Sequence, residues 1–246
     1  MEFMTTSEVS AALQSGFRTV LVPCGAIEQH GAHLPLSVDS DHAEHLGLTL
    51  AKALGKSLIA PSIRVGCSVH HLDFPGTISL REPTFESICA DYCASLSSHG
   101  FENILFFSGH VGNFPALQSM LPRVQSQMPE GCRVDAFTDS GLWLKTWRDA
   151  VGDAGGDACR VGGHADIAET SVMLSIHPRR VRTNLYAAGK PGLPSKTDLQ
   201  AMWLGGIRAV SKNGILGDPN GSSTAIGDLC IERITRMLLD YFSSPR

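Results

Sequence analysis

Residues 28–42, EQHGAHLPLSVDSDH, hold one glutamate, two aspartates and three histidines in fifteen positions. Glu28 and His30 are two apart, so an extended backbone turns them to the same side. Asp39 follows across a turn containing Gly31 and Pro35. Carboxylate and imidazole together are the donor set of zinc, manganese or iron, whereas a soft thiolate site would draw on cysteine. A plainer use competes, because Asp39, Ser40 or Asp41 can cap the helix that follows. That use is preferred for Asp41. His33 reads as support for the loop, and His42 and His45 as residues of the next helix. For Glu28, His30 and Asp39 the plainer use is weaker, since a Glu-x-His pair directly after an apolar run has no evident packing role, and from spacing alone metal binding and capping both stay open.

Three later stretches carry the remaining chemistry. In FFSGHVGNF (106–114), His110 ends an apolar run and is a candidate third ligand, while Asn113 suits a helix cap. A serine nucleophile at Ser108 is opposed by Phe106, which stands where the G-x-S-x-G elbow needs its first glycine. In GGHADIAETSVML (162–174), His164 and Glu169 are five apart and do not share a helical face. If both serve one site, His164 belongs to the loop that enters the helix. Asp166 reads as favourable charge at the helix start. Glu169 leads an apolar run, where a buried carboxylate needs a partner such as a metal. HHLDFPGTISL (70–80) is a tight turn that sets His70 or His71 in a pocket wall.

The elements that must position these residues follow from periodicity. Short apolar runs without alternation, at 19–23, 57–63, 103–107 and 133–137, suit strands buried on both faces, as in a parallel sheet. Helical patterns lie between and after them, at 41–52, 83–98, 114–127, 168–176, 199–211 and 226–242. Residues 151–163 and 187–196 read as loops able to cover a site. Alternating strands and helices imply an α/β architecture. Ligands of open parallel sheets bind beyond the carboxyl ends of the strands, which brings Glu28, His30 and His110 to one edge. The 246 residues are expected to form one domain over 1–246.

Composition narrows the function further. A net charge of -4 and the absence of any Lys/Arg run argue against nucleic acid as a partner. No apolar run reaches membrane-spanning length, and the start lacks the pattern of a signal peptide. A cytoplasmic location is expected. Charged residues make up only 18%, against about a quarter ordinarily, so part of the surface is expected to meet other subunits. The seven cysteines form no CxxC pair and read as reduced, mostly buried side chains.

Taken together, GAIEQHGAHLPLSVD, FPGTISL, SGHVGN and HADIAETS, in that order, resemble the signatures of the creatininase (creatinine amidohydrolase) family. The resemblance spans roughly residues 17–176. It implies a three-layer α/β/α sandwich with a mostly parallel sheet, commonly a homohexamer, and two divalent ions, zinc or manganese with iron also compatible. By position, one ion would be held by Glu28, Asp39 and His110, and the other by His30, Asp39 and Glu169, with Asp39 bridging. Glu169 and His164 would be catalytic, His164 as proton shuttle, and His71, Ser108, Val111 and Gly112 would border a small-molecule substrate. Two such ions lower the pKa of a shared water, and the hydroxide formed attacks a carbonyl. The implied reaction is cleavage of a C–N bond in a small amide or cyclic amide. Hydrolysis of a lactone or of a C–C bond beside a ketone, and ligand binding without catalysis, are the alternatives. Creatininase itself carries Tyr-Glu where this chain has Val111 and Gly112, and Asn where it has Ser108. The tryptophans that close over creatinine have no counterpart in residues 151–163, although Trp143 and Trp147 precede them. The chain therefore reads as a relative of creatininase rather than creatininase itself.

Overall fold

The computed structural model describes residues 1–244. All four apolar runs form strands of one parallel sheet, β1 (Thr19–Cys24), β2 (Ser57–Ile59), β3 (Asn103–Ser108) and β4 (Arg133–Ala136), in the order β2-β1-β3-β4. β1 and β3 are the interior pair, in register from Thr19 opposite Asn103 to Cys24 opposite Ser108. The run at 57–63 is shorter as a strand than its composition suggests. Pro61 has no N–H for a ladder, and after the Ala60 N–H donates to Leu21 the chain rejoins β1 at the Cys24–Ile63 bridge.

Alternation along β1 and β3 builds two cores. Val20, Val22, Ile104 and Phe106 face α3 (Glu82–Ser98) and α4 (Phe114–Gln125), where Phe85, Cys89, Leu117 and Met120 are buried. Leu21, Leu105 and Phe107 face the opposite layer of α2 (Val38–Leu54), α5 (Ser140–Asp153), α6 (Ile167–Ile176) and α8 (Thr224–Ser243). Helices on both faces of a parallel sheet make the three-layer α/β/α sandwich. A short antiparallel pair, β5 (Val161–His164) and β6 (Leu216–Gly217), lies outside the main sheet. α1 (Thr6–Gln14) begins at a capping box of Thr5 and Glu8, and α7 (Lys196–Gly205) at one of Ser195 and Asp198. Among the described residues no helix is long and apolar enough to cross a membrane. All seven cysteines are free, and Cys159 is the exposed one.

Several boundaries differ from the sequence reading, each for a local reason. α2 starts at Val38, so Asp39 lies in its first turn and Asp41 does not cap it. The Asp41 carboxylate instead accepts from the Ser37 hydroxyl at 2.8 Å and from Arg180 at 2.5 Å. His42 is not on the helix surface: it is buried, its ring 5.9 Å from those of Trp143 and Trp147. The loop expected at 151–163 is partly helical, because α5, capped by Asp139 on the Leu142 N–H, runs to Asp153. The helix expected at 199–211 ends at Gly205, since Gly206 turns the chain at φ 75°, a conformation that favours glycine.

Asp166 does more than place charge at a helix start. Fully buried, it accepts from the N–H groups of Ala168 and Glu169 as cap of α6, and from those of Gly162 and Gly163. Removing a cap costs about 1 kcal/mol, and stranding buried donors adds about 1–3 kcal/mol. Asp166→Ala should therefore lower unfolding stability by about 2–4 kcal/mol in urea titration. A loss below about 0.5 kcal/mol, the scale of an ordinary surface change, would contradict this account of the cap.

Candidate metal centre

Six acids and imidazoles from four parts of the chain meet beyond the carboxyl ends of β1 and β3. Glu28 and His30 lie on the segment leaving β1, which is tied down where the Glu28 N–H donates to Leu36 and the Gln29 N–H to the Thr77 hydroxyl. Asp39 arrives on the first turn of α2. The approach is close: a Cβ on Gly109 would stand 2.4 Å from the Asp39 carbonyl oxygen, so only glycine lets β3 end here. His110 follows at once. Glu169 is the third residue of α6, and His164 ends β5.

The contacts between these groups are ionic in type and longer than hydrogen bonds. The two oxygens of Asp39 face different imidazoles, Oδ1 at 3.3 Å from His30 Nε2 and Oδ2 at 3.4 Å from His110 Nδ1. Glu28 Oε2 is 3.4 Å from His110 Nε2, and Glu169 Oε2 is 3.7 Å from His30 Nε2. Glu28, Asp39 and Glu169 are buried, and both oxygens of Glu28, Oδ2 of Asp39 and Nε2 of His30 have no hydrogen-bond partner. Burial, followed by the charge of Asp39, raises the pKa of Glu28 and of Glu169 well above the ordinary carboxylate range. Burial works against a charged His30, but Asp39 and Glu28 prevail and raise its pKa.

Buried acids without donors are costly, and divalent cations would supply the missing partners. His30, Asp39 and Glu169 each offer a donor atom within 4.8 Å of the others, as do Glu28, His70 and His110, and Glu28, His30 and His164. His30 is also oriented for the task. Its Nδ1 is 3.1 Å from the Glu28 carbonyl oxygen, and donation there leaves Nε2 as the ligand atom. The residues present fit a site for divalent ions.

His164 Nε2 lies 2.8 Å from the Gln29 carbonyl oxygen, and its Nδ1 lies 3.5 Å from Glu28 Oε1. Burial, then the neighbouring His30, holds its pKa well below the usual value, so the ring is neutral. The turn that presents it is strained: Ala165 adopts φ 54°, and its N–H donates to Glu169. A non-glycine residue persists in that region only where its surroundings hold it. His71 Nε2 is 3.3 Å from Glu28 Oε1, and its Nδ1 accepts from the Gln29 side-chain amide at 2.9 Å. Gln29, which the sequence reading passed over, thus orients two histidines, and only its place between Glu28 and His30 could have signalled this. Asn113 also exceeds its expected role. Its side chain makes no helix cap but bonds the Cys67 N–H, the Gly25 carbonyl and the Ser108 hydroxyl, joining the segments after β1 and β3.

The site opens into a cleft of about 470 Å³ bordered by His71, Val111 and Gly112. Ser108 does not border it. That side chain is fully buried, with its hydroxyl donating to the His110 carbonyl and accepting from the His110 N–H. The outer walls are Leu144, Leu193, Leu199, Met202 and Trp203. His33 stays apart from the acids, 2.9 Å from the Thr170 hydroxyl.

A family model described as "Creatininase: Creatinine amidohydrolase" matches residues 2–242. The chain is 33% identical over 246 residues to a mycofactocin precursor peptide peptidase of Mycobacterium ulcerans (strain Agy99), covering 94% of this chain and 90% of that protein. It is 29% identical over 192 residues to a creatinine amidohydrolase of Pseudomonas putida, covering 71% of this chain and 70% of that protein. A solved structure described as "Creatininase Mn" superposes with a TM-score of 0.80 over 99% of this chain and 98% of the other, at 21% identity. At that identity it speaks for the fold alone.

Raised pKa values at Glu28 and Glu169 give a signed expectation. Their stabilising contribution to the ion-free protein is complete below the unfolded value of 4.5 and is lost as pH rises through the raised folded values. Divalent ions compete with those protons. Stabilisation by added zinc, read as the shift in melting temperature of chelator-treated protein, should therefore grow from about pH 5 to about pH 8. A shift that shrinks as pH rises would contradict the expectation.

Proposed function

The chain belongs to the creatininase family, and from that premise we propose that it is a metal-dependent hydrolase that cleaves amide C–N bonds with two divalent ions. The observation that carries the reading is Asp39. Each of its oxygens faces a different imidazole, with Glu28 beyond one and Glu169 beside the other. Glu28, Asp39 and His110 would hold one ion, and His30, Asp39 and Glu169 the other. Oxygen and nitrogen donors together suit zinc, manganese or iron. When bound, such ions polarise a carbonyl oxygen and make a water nucleophilic near neutral pH.

The remaining work falls to the chain. His164 is neutral, and donation from its Nε2 to the Gln29 carbonyl leaves Nδ1 free beside Glu28. Nδ1 takes the proton released by the attacking water and delivers it to the leaving nitrogen. His71 and Gln29 keep that ring oriented. Apolar walls at Leu199, Met202 and Trp203 exclude water from one side of the cleft and suit a hydrophobic substituent. A peptide amide with such a side chain fits this volume, and the peptide peptidase relative, matched over 94% of this chain, supports that class. One domain over 1–246, a cytoplasmic location and a homo-oligomer, a hexamer by family habit, complete the proposal. Modest charge and the exposed Leu204 support subunit contacts.

The test is amine release from a panel of short peptides, peptide amides and creatinine by zinc- or manganese-loaded protein. Amide hydrolysis that stops on chelation is the expected result, and a loaded protein that cleaves no amide would refute it. His164→Ala should keep its ions and lose about 10²–10⁴-fold in kcat. Asp39→Ala should lose both ions and activity together, and activity surviving Asp39→Ala would remove the two-ion reading.

A further inference from the structure

His70 enters the sequence reading only as one of two histidines in a pocket wall. We propose that His70 is a further protein ligand of the ion assigned to Glu28, Asp39 and His110. This rests on the two-ion reading above and adds a ligand that the four motifs do not contain.

Three observations converge. One nitrogen of His70, one of His110 and one carboxylate oxygen of Glu28 lie within 4.8 Å of one another. Nδ1 of His70 is shielded from solvent and has no hydrogen-bond partner, a costly state for a buried polar atom unless something else binds it. The ring is also held in place, nearly parallel to His110 at 5.9 Å between centroids and 5.0 Å from Trp203.

Position 112 supplies the complementary half. A Cβ there would lie 2.3 Å from His110 Nε2 and 2.9 Å from the Cys67 carbonyl oxygen. No side chain can project from 112 unless His110 moves. An ion here would therefore take its additional donor from His70, on the Val69–His71 turn. The added donor also has a chemical consequence. An imidazole adds a nitrogen donor and no negative charge, which would favour zinc over manganese at this ion.

The experiment titrates metal-stripped protein against a chromophoric chelator with zinc and with manganese, and records the visible spectrum of the cobalt-loaded protein. His70→Gln and His70→Ala should each weaken one of the two zinc ions by about tenfold or more and shift the cobalt spectrum. His70→Glu should move the preference of that ion toward manganese. Nitrogen NMR of His70 in the unmodified chain gives an answer that needs no variant to fold, because its ring shifts must move on zinc binding. Two zinc ions held at full affinity by the His70 variants, or His70 resonances indifferent to zinc, would overturn this inference and leave the two-ion reading standing. An unmodified chain that binds no ion would overturn both.

Discussion

Three carboxylates, Glu28, Asp39 and Glu169, are buried together where they line the cleft, and neither Glu28 oxygen has a hydrogen-bond partner. Two like charges about 4 Å apart repel by roughly 4 kcal/mol at the effective dielectric of a protein near its surface. Such a cluster needs added positive charge, as protons or as metal ions. The raised pKa values of Glu28, Glu169 and His30 describe the first state. The facing imidazoles His30 and His110 prepare the second. The rest of the fold serves to keep these groups from relaxing apart.

The restraint is applied mainly through backbone. β1 and β3 end in register at Cys24 and Ser108, so the acids after one strand and the histidine after the other arrive at the same height. Gly109 lets α2 approach until Asp39 bears on His110, and Asn113 ties the segments after both strands to Cys67. On the far side, Asp166 holds the turn before α6, and the strained Ala165 lies between His164 and Glu169. Few side-chain hydrogen bonds reach the acids themselves, which leaves their oxygens for cations.

Much of this was legible in the sequence because the relevant signals are local. Apolar runs without alternation mark all four strands of the sheet, residue type and position beside those runs make the Glu-x-His pair, Asp39, His110 and Glu169 candidates, and the resemblance of the four motifs supplies their grouping. What was missed depends on distant packing. His42 looked like a helix-surface histidine until Trp143 and Trp147, a hundred residues later, closed over it. α5 was obscured by the Gly- and Asp-rich composition that follows its last turn, though Asp139 was a readable cap. Ser108 looked available at the end of a strand, yet its hydroxyl is spent on the backbone of His110. His70 carried no local mark, since its relation to Glu28 and His110 exists only once the sheet has formed.

The site and its cleft have separate origins in the chain, and this division bears on specificity. The acids and histidines that can hold ions come from segments directly after strands or at the start of helices, where backbone geometry is fixed. The outer walls come from α5, α7 and the residues just before α7, with Leu144, Leu193, Leu199, Met202 and Trp203. Next to these acids and histidines, Val111 and Gly112 offer little: one is aliphatic, and the other has no room for a side chain. Under the proposed function, recognition would be displaced outward onto an apolar wall carried largely by α7, a helix delimited by its own capping box and by Gly206. Changes on that helix can alter which substituent fits without disturbing the acids, whereas changes near His110 act on both at once. A hydrolase built this way can exchange substrates within a family while its reacting centre stays in place.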